Sequence, residues 1–175
     1  MLIKVLIGLL LLSLPIFGSE IATTATSAPE IRFEQKDTLG GGKVELFIGQ
    51  QTKPIGYALY KKEAKSTAQI FSIRIEHGFR GKGLGTQLLQ KTIQFLHALH
   101  FTTITVLAQP DVKEYPNINE YSKAVEKLIA WYEKNGFVIV KKYYKHNYIR
   151  SADMEYQVKE TEEGKKEKES SSSKE

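Results

Sequence analysis

Hydrophobic and polar residues alternate with a period of two through four segments in the first half of the chain. The alternation predicts β-strands, each with one buried face, at 31–36, 43–49, 54–62 and 68–76. The glycine run 40–42 separates the first two of these segments, so we expect a hairpin at that point.

The hydrophobic period lengthens to that of a helix in the second half. A helix is predicted from about Gly83 to His100, because its apolar residues fall on one face: Leu84, Leu88, Leu89, Phe95, Leu96 and Leu99. A second helix is indicated by the apolar spacing of Val125, Leu128, Ile129 and Tyr132, and it closes at Asn135-Gly136. Strands are predicted at 103–108, 137–145 and 153–158, with a loop at 109–120.

The resulting element order, ββββαβαββ, predicts one α+β or α/β domain with a mixed central β-sheet and flanking helices. Its βαβαβ centre requires parallel crossovers, whereas hairpins form the two flanks. The folded domain is expected to span residues 31–158.

The first thirty residues have a different pattern from this domain. Lys4 precedes an apolar run at 5–14, and Pro15 and the small pair Gly18-Ser19 follow it, which is typical of a signal peptide at 1–18. An uncleaved anchor or a buried helix is the alternative. The expected protein is therefore exported or secreted, touching the membrane only transiently through its signal peptide, or cytoplasmic if the segment is not a signal. Residues 19–30 have the composition of a linker.

The last seventeen residues, 159–175, mix both charges with a serine run and contain no apolar side chain, so a disordered tail is predicted. The tail and residues 1–30 each sum to −1, so the net charge of +5 leaves +7 on the domain. That charge favours an anionic ligand, although surplus lysines also confer solubility. The chain has no cysteine, which excludes disulfides, thiolate zinc sites and a cysteine nucleophile.

Four glycines, at 78, 81, 83 and 85, lie between a predicted strand and a predicted helix. Bare backbone at a helix N-terminus is suited to binding phosphate, since several N–H groups and the helix dipole then face one anion. The spacing fits neither a Walker loop nor the dinucleotide-binding fingerprint. A tight turn eased by glycine is the alternative reading of the spacing alone.

Two motifs resemble those of the GCN5-related N-acetyltransferases (GNAT). The stretch R-x-x-G-x-G at 80–85 follows a strand and begins a helix, and the helix containing "LIAWYEKNGF" (128–137) ends in the family's Y-E-K-x-G-F pattern. The resemblance covers about residues 43–158 and implies a GNAT-like acyl-CoA acyltransferase fold. The link between the first two strands is shorter here than in most of the family, which usually places two helices there.

The resemblance implies that acetyl-coenzyme A is the co-substrate, without a metal, and that an amine is the acceptor: a protein lysine, a peptide or a small molecule. Backbone N–H groups would hold the diphosphate at Arg80, Gly81, Lys82, Gly83, Leu84, Gly85 and Thr86. The pantetheine arm would run beside Ile73, Arg74 and Ile75. No nucleic acid is expected as a partner, and the sequence does not fix the oligomeric state.

Tyr132 matches the family's general acid, which protonates the departing thiolate; packing on the apolar helix stripe is the alternative. Gln69 and Phe71 align with positions that carry a general base in some members, and neither can accept a proton at neutral pH. Glu76 is the remaining side-chain candidate, although a solvated carboxylate at a strand end fits it as well. These changes leave a second function open, a catalytically inactive acyl-CoA-binding or protein-interaction module.

Overall fold

A computed structural model describes residues 30–158. The predicted signal peptide, the charged tail and all but the last residue of the linker lie outside the described residues. These described residues form nine main elements in this order: β1 (Ile31–Asp37), β2 (Gly41–Ile48), β3 (Gly56–Ala64), β4 (Thr67–Ile75), α1 (Leu84–Ala98), β5 (Thr103–Ala108), α2 (Ile118–Lys134), β6 (Val138–Lys145) and β7 (Tyr148–Gln157). A short 3-10 turn, His77–Phe79, precedes α1.

The seven strands form one mixed sheet in the order β1-β2-β3-β4-β5-β7-β6. The pair β4–β5 is parallel, and the other neighbouring strands are antiparallel. The connection through α2 makes β6 parallel to β5, but β7 lies between these two strands and is antiparallel to both. The predicted mixed sheet with flanking helices is confirmed.

Both helices pack against the same face of this sheet. The buried sheet residues Ala68, Ile104 and Met154 lie on one face, as their register through Ile70 and Val106 shows. They form one core cluster with residues of α1 and α2, including Leu89, Leu96, Val125, Ile129 and Tyr132. A second cluster continues the core along the same face, where Leu84 and Leu88 of α1 meet β2 and β3. Burial of this face gives the fold its main hydrophobic stabilisation.

Two boundaries differ from the sequence prediction by more than two residues. Helix α2 begins at Ile118, because the Asn117 side chain caps it by accepting from the N–H groups of Asn119 (2.8 Å) and Glu120 (3.4 Å). Strand β7 begins at Tyr148, because His146 and Asn147 make a two-residue turn with φ of 49° and 66°.

The link between β1 and β2 is three residues long, 38–40, so no helix separates these strands. Within residues 30–158, none of the helices is long and apolar enough to cross a membrane.

Candidate active site

A cleft opens where β4 and β5 separate. The two strands pair only through residues 67–70 and 103–106, while β4 continues to Ile75 alongside β3. A bulge at Phe71 marks the start of this separation, since Leu59 pairs with Ser72 and Tyr60 with Ile70. The cleft measures about 970 Å³, and both the upper part of β4 and the start of α1 line it. Beyond Ile70, the backbone of β4 therefore has no strand partner on the β5 side.

Backbone N–H groups at the start of α1 form a potential anion site at one end of the cleft. Gly81 and Gly83 both have a φ of +77°, a conformation that glycine adopts without strain. Gly83 is the N-cap, and no side chain caps this helix. The first hydrogen bond of the turn runs from the Gln87 N–H to the Gly83 carbonyl at 3.2 Å, so the preceding N–H groups have no acceptor within the helix. Such a terminus attracts a phosphate.

Arg80 lies beside this terminus and also lines the cleft. Its Nη2 and Nη1 atoms donate to the two carboxylate oxygens of Glu114 at 2.9 and 3.1 Å, and its Nε donates to the Ile75 carbonyl at 3.0 Å. The hydrogen bonds from Arg80 hold the pKa of the Glu114 carboxyl below its usual range. A second ion pair, between Arg74 and Asp111 at 3.3 Å, also crosses from β4 to the loop that follows β5.

The predicted coenzyme-binding residues divide into two groups in the structure. Those that line the cleft are Ile73, Arg74, Ile75, Arg80, Gly81, Gly83, Gly85 and Thr86. Lys82 is directed elsewhere, since its Nζ donates to the Gly78 carbonyl and lies over the Phe79 ring. The Leu84 side chain is buried in the core, which leaves only its backbone N–H for the site. The binding role of both groups stays a prediction.

Tyr132 lines the opposite wall of the cleft and is 6% exposed. Its ring packs against Trp131 and Phe137, with centroids 4.7 and 5.3 Å away. Its hydroxyl has no hydrogen-bond partner among the described residues, and no fully buried side-chain oxygen of residues 30–158 lacks a partner. The hydroxyl must therefore open to the cleft. Burial raises the pKa of this phenol, so it stays protonated at neutral pH.

Trp131 fixes the position of this wall relative to α1. Its Nε1 donates to the Thr86 hydroxyl oxygen at 3.0 Å, which ties the C-terminal half of α2 to the first turn of α1. The hydrogen bond therefore joins the helix that carries the Tyr132 phenol to the helix whose start forms the anion site, and both line the same cleft.

Glu76 is not among the residues that line the cleft in the described part of the chain. Its carboxylate pairs with Lys53 at 3.0 Å, and 44% of its side chain is exposed. Gln69 and Phe71 do line the cleft, as do two carboxylates that the sequence prediction passed over, Asp111 and Glu114. A catalytic role for Glu76 stays a prediction. Its exposed ion pair agrees with the alternative interpretation, a solvated carboxylate at the end of a strand.

Several cleft residues that were not predicted from the sequence lie in the loop 109–117. A positional signal could have found them, because this loop follows β5, which is parallel to β4. Loops at the carboxyl ends of neighbouring parallel strands meet at the same edge of a sheet. Asp111, Glu114 and Tyr115 therefore come to lie opposite the glycine stretch. Within the described chain, no three His, Cys, Asp or Glu residues are placed to hold a metal ion.

The chain resembles known proteins in sequence and in fold. The model of the acetyltransferase (GNAT) family matches residues 19–137, and the chain belongs to this family. An uncharacterised N-acetyltransferase of Pyropia yezoensis is 29% identical over 87 residues, which are 50% of this chain and 41% of that relative. The chain thus matches less than half the length of this relative.

Two solved structures show the same fold at low sequence identity. A GNAT-family protein of Desulfovibrio desulfuricans superposes with a TM-score of 0.56 at 13% identity, covering 74% of this chain and 100% of that chain. A GNAT-family acetyltransferase of Elizabethkingia anophelis, solved with acetyl-CoA bound, has a TM-score of 0.52 at 13% identity and covers 75% of this chain and 99% of that one.

Proposed function

We propose that this protein is an N-acetyltransferase that transfers an acetyl group from acetyl-coenzyme A to a primary amine. One observation carries the proposal: a single cleft joins the uncapped start of α1, the unpaired backbone of β4 and the hydroxyl of Tyr132. Family membership supports the same activity.

The anion end of the cleft fits the diphosphate of the coenzyme. Free N–H groups and the helix dipole attract negative charge at the start of α1, and the glycines let a phosphate approach the backbone closely. The N–H and C=O groups of β4 beyond Ile70 can bond the amide groups of an extended arm. This contact does not depend on side chains, which suits the apolar residues Ile73 and Ile75.

Acetyl-coenzyme A supplies an activated thioester whose carbonyl carbon accepts the amine nitrogen. The new C–N bond forms as the C–S bond breaks, and the nitrogen loses its surplus proton to solvent. Tyr132 donates its hydroxyl proton to the departing sulfur and recovers a proton from water in the cleft. Unpaired β4 N–H groups near the bulge at Phe71 can stabilise the negative charge on the carbonyl oxygen.

A second candidate function is supported by the carboxylates of the cleft. Asp111 and Glu114, the two carboxylates that line it, both lie in ion pairs, and Gln69 cannot act as a base. A coenzyme-binding module without turnover would have this composition. Turnover of acetyl-coenzyme A with small amines, peptides with free N-termini and lysine peptides decides between the two functions. The same panel identifies the acceptor class.

Coenzyme binding is tested most directly at Gly85. A Cβ there would meet only Ile75 and Trp131 atoms at 3.9 Å, so Gly85→Asp fits, whereas the positive φ of Gly83 would add strain. A carboxylate in the first turn favours the helix and repels the diphosphate. We expect calorimetry to show at least tenfold weaker binding of coenzyme A, about 1.4 kcal/mol.

Gly85→Asn is the matched control, because it has nearly the same size without the charge. It should weaken binding less than Gly85→Asp does. An unchanged dissociation constant in a folded Gly85→Asp protein would place the coenzyme elsewhere.

A further inference from the structure

Two ion pairs join the walls of the cleft. Arg80 of the glycine stretch holds Glu114 through both terminal nitrogens, and Arg74 of β4 holds Asp111. Both carboxylates belong to the loop 109–117, whereas both cations belong to the opposite wall. The loop is therefore held across the cleft by two charge pairs, and one of them uses Arg80, the cation beside the anion site.

Three of the five N–H groups of the Arg80 guanidinium are engaged in this arrangement, including one on each terminal nitrogen. Its Nε is used by the Ile75 carbonyl, and each of its terminal nitrogens donates to one oxygen of Glu114. A planar guanidinium binds a carboxylate and a phosphate in the same two-pronged manner. Glu114 thus occupies the edge of Arg80, formed by both terminal nitrogens, at which a phosphate would bind in this manner.

We propose that Glu114 is an internal competitor for the anion site, which the coenzyme's diphosphate displaces from Arg80 on binding. This inference rests on the proposed function, since it takes coenzyme A as the ligand of this cleft. Glu114 thereby sets the affinity of the site and favours ligands that carry the full diphosphate. A ligand without phosphate has nothing to exchange for the carboxylate.

Displacement is physically reasonable because the pair lies at the surface. The side chains of Arg80 and Glu114 are 41% and 36% exposed, and exposed pairs are weak and screened by salt. A diphosphate carries more charge than one carboxylate, and the N–H groups of the α1 terminus bind it as well. The released loop keeps its second tie, from Asp111 to Arg74.

The test compares Glu114→Gln with the wild type, using coenzyme A and pantetheine as probes. Trp131 is the chain's sole tryptophan and lines the cleft, so its fluorescence reports binding alongside calorimetry. Removing the competing charge should tighten coenzyme A binding about 1.5- to 5-fold, the range of a weak exposed pair. Pantetheine, which lacks the diphosphate, should bind both proteins alike.

Asp111→Asn is the matched control, because it removes the same charge from the same loop without touching Arg80. If it tightens coenzyme A binding as much as Glu114→Gln does, the effect is one of net charge and the competitor role is overturned. Weaker or unchanged binding by Glu114→Gln also overturns it, since the pair would then only brace the loop. If coenzyme A binds none of these proteins, the proposed function itself fails.

A double-mutant comparison gives an independent check. In an Arg80→Gln background the contested cation is gone, so adding Glu114→Gln should change coenzyme A affinity much less than it does in the wild type. An equal change in both backgrounds would show that Glu114 acts on the ligand without Arg80 and would contradict the competition.

Discussion

Tyr132 combines two properties that usually exclude each other, a buried ring and a hydroxyl without a protein partner. Buried phenols normally find a hydrogen bond, because an unpaired one loses the free energy of hydration. Here the ring packs on Trp131 and Phe137 while the hydroxyl opens to the cleft. The arrangement suits a proton donor, and the raised pKa keeps the donor protonated.

Tyr132→Phe separates catalysis from packing, because it removes only the hydroxyl. We expect the turnover number to fall about 10²-fold or more, which is the usual contribution of a positioned proton donor. The melting temperature and the affinity for coenzyme A should change little. These quantities are measured on the same samples of wild type and variant.

Tyr121→Phe is the control for this prediction, since Tyr121 is a buried tyrosine of the same helix whose hydroxyl approaches the Pro110 carbonyl. It should keep near-normal turnover. A Tyr132→Phe protein with normal turnover and a lower melting temperature would assign Tyr132 to packing alone.

Single residues of the site were predictable to different degrees. The glycines and Tyr132 stand out because each lies in a short local motif that resembles one of the GNAT family. The pairing of Arg80 with Glu114 was not predictable, since 34 residues separate them and their contact depends on how two loops meet. Glu76 shows the converse, because its place beside the loop in the sequence says nothing of the direction of its side chain.

At the scale of elements, the start of α2 depends on one cap. Asn117 accepts two N–H groups of the first turn, so Asn117→Ala should lower the free energy of unfolding by about 1 kcal/mol. Asn119 lies two residues after the cap, inside the helix. Asn119→Ala should lower the free energy of unfolding by less than Asn117→Ala does, or should raise it, because alanine is the better helix former. Urea titrations of both variants measure the difference, and equal effects would contradict the capping role.

Element types were predictable throughout, whereas two boundaries were not. The segment 117–120 has two asparagines, which suggested a loop, but an asparagine N-cap with glutamate three residues on also begins a helix. The turn at His146-Asn147 lacks the glycine that usually marks a tight hairpin, so the first half of β7 was missed. Local composition was ambiguous at both places, and tertiary packing decided the outcome.

At the scale of the whole molecule, carboxylates with lowered pKa values make the free energy of unfolding depend on pH in the acid range. Glu45 is 7% exposed, and hydrogen bonds from Lys43 and Lys36 lower its pKa from 4.5. Burial raises the pKa of Asp37, but hydrogen bonds from Lys62 and Tyr60 outweigh it, and the net direction is down. A lowered pKa gives stability that is present above the unfolded value and is lost as the pH falls through the folded value.

We therefore expect the free energy of unfolding to fall as the pH drops below about 4.5, the ordinary value for glutamate. Glu45→Gln should lower the free energy of unfolding by about 1 kcal/mol at neutral pH, because it removes the ion pairs with Lys36 and Lys43. The loss stays small because water can solvate both lysines. It should also flatten the acid part of the curve, which unfolding measured between pH 7 and 2 would detect. Glu126→Gln, on the exposed side of α2, is the control and should leave the curve unchanged; parallel curves for Glu45→Gln and wild type would contradict the linkage.

The position of β7 has a consequence for how the chain is made. This strand is the last of the sheet to be synthesised, yet it lies between β5 and β6. Until it emerges, β5 exposes a free edge on that side, and β6 has no strand beside it. A nascent chain that stops short of Tyr148 therefore presents an unpaired edge, the kind of surface on which chains aggregate. Folding of the sheet thus finishes with the insertion of an interior strand, so the emergence of β7, rather than growth of the core around the helices, is the step that commits the domain to the native state.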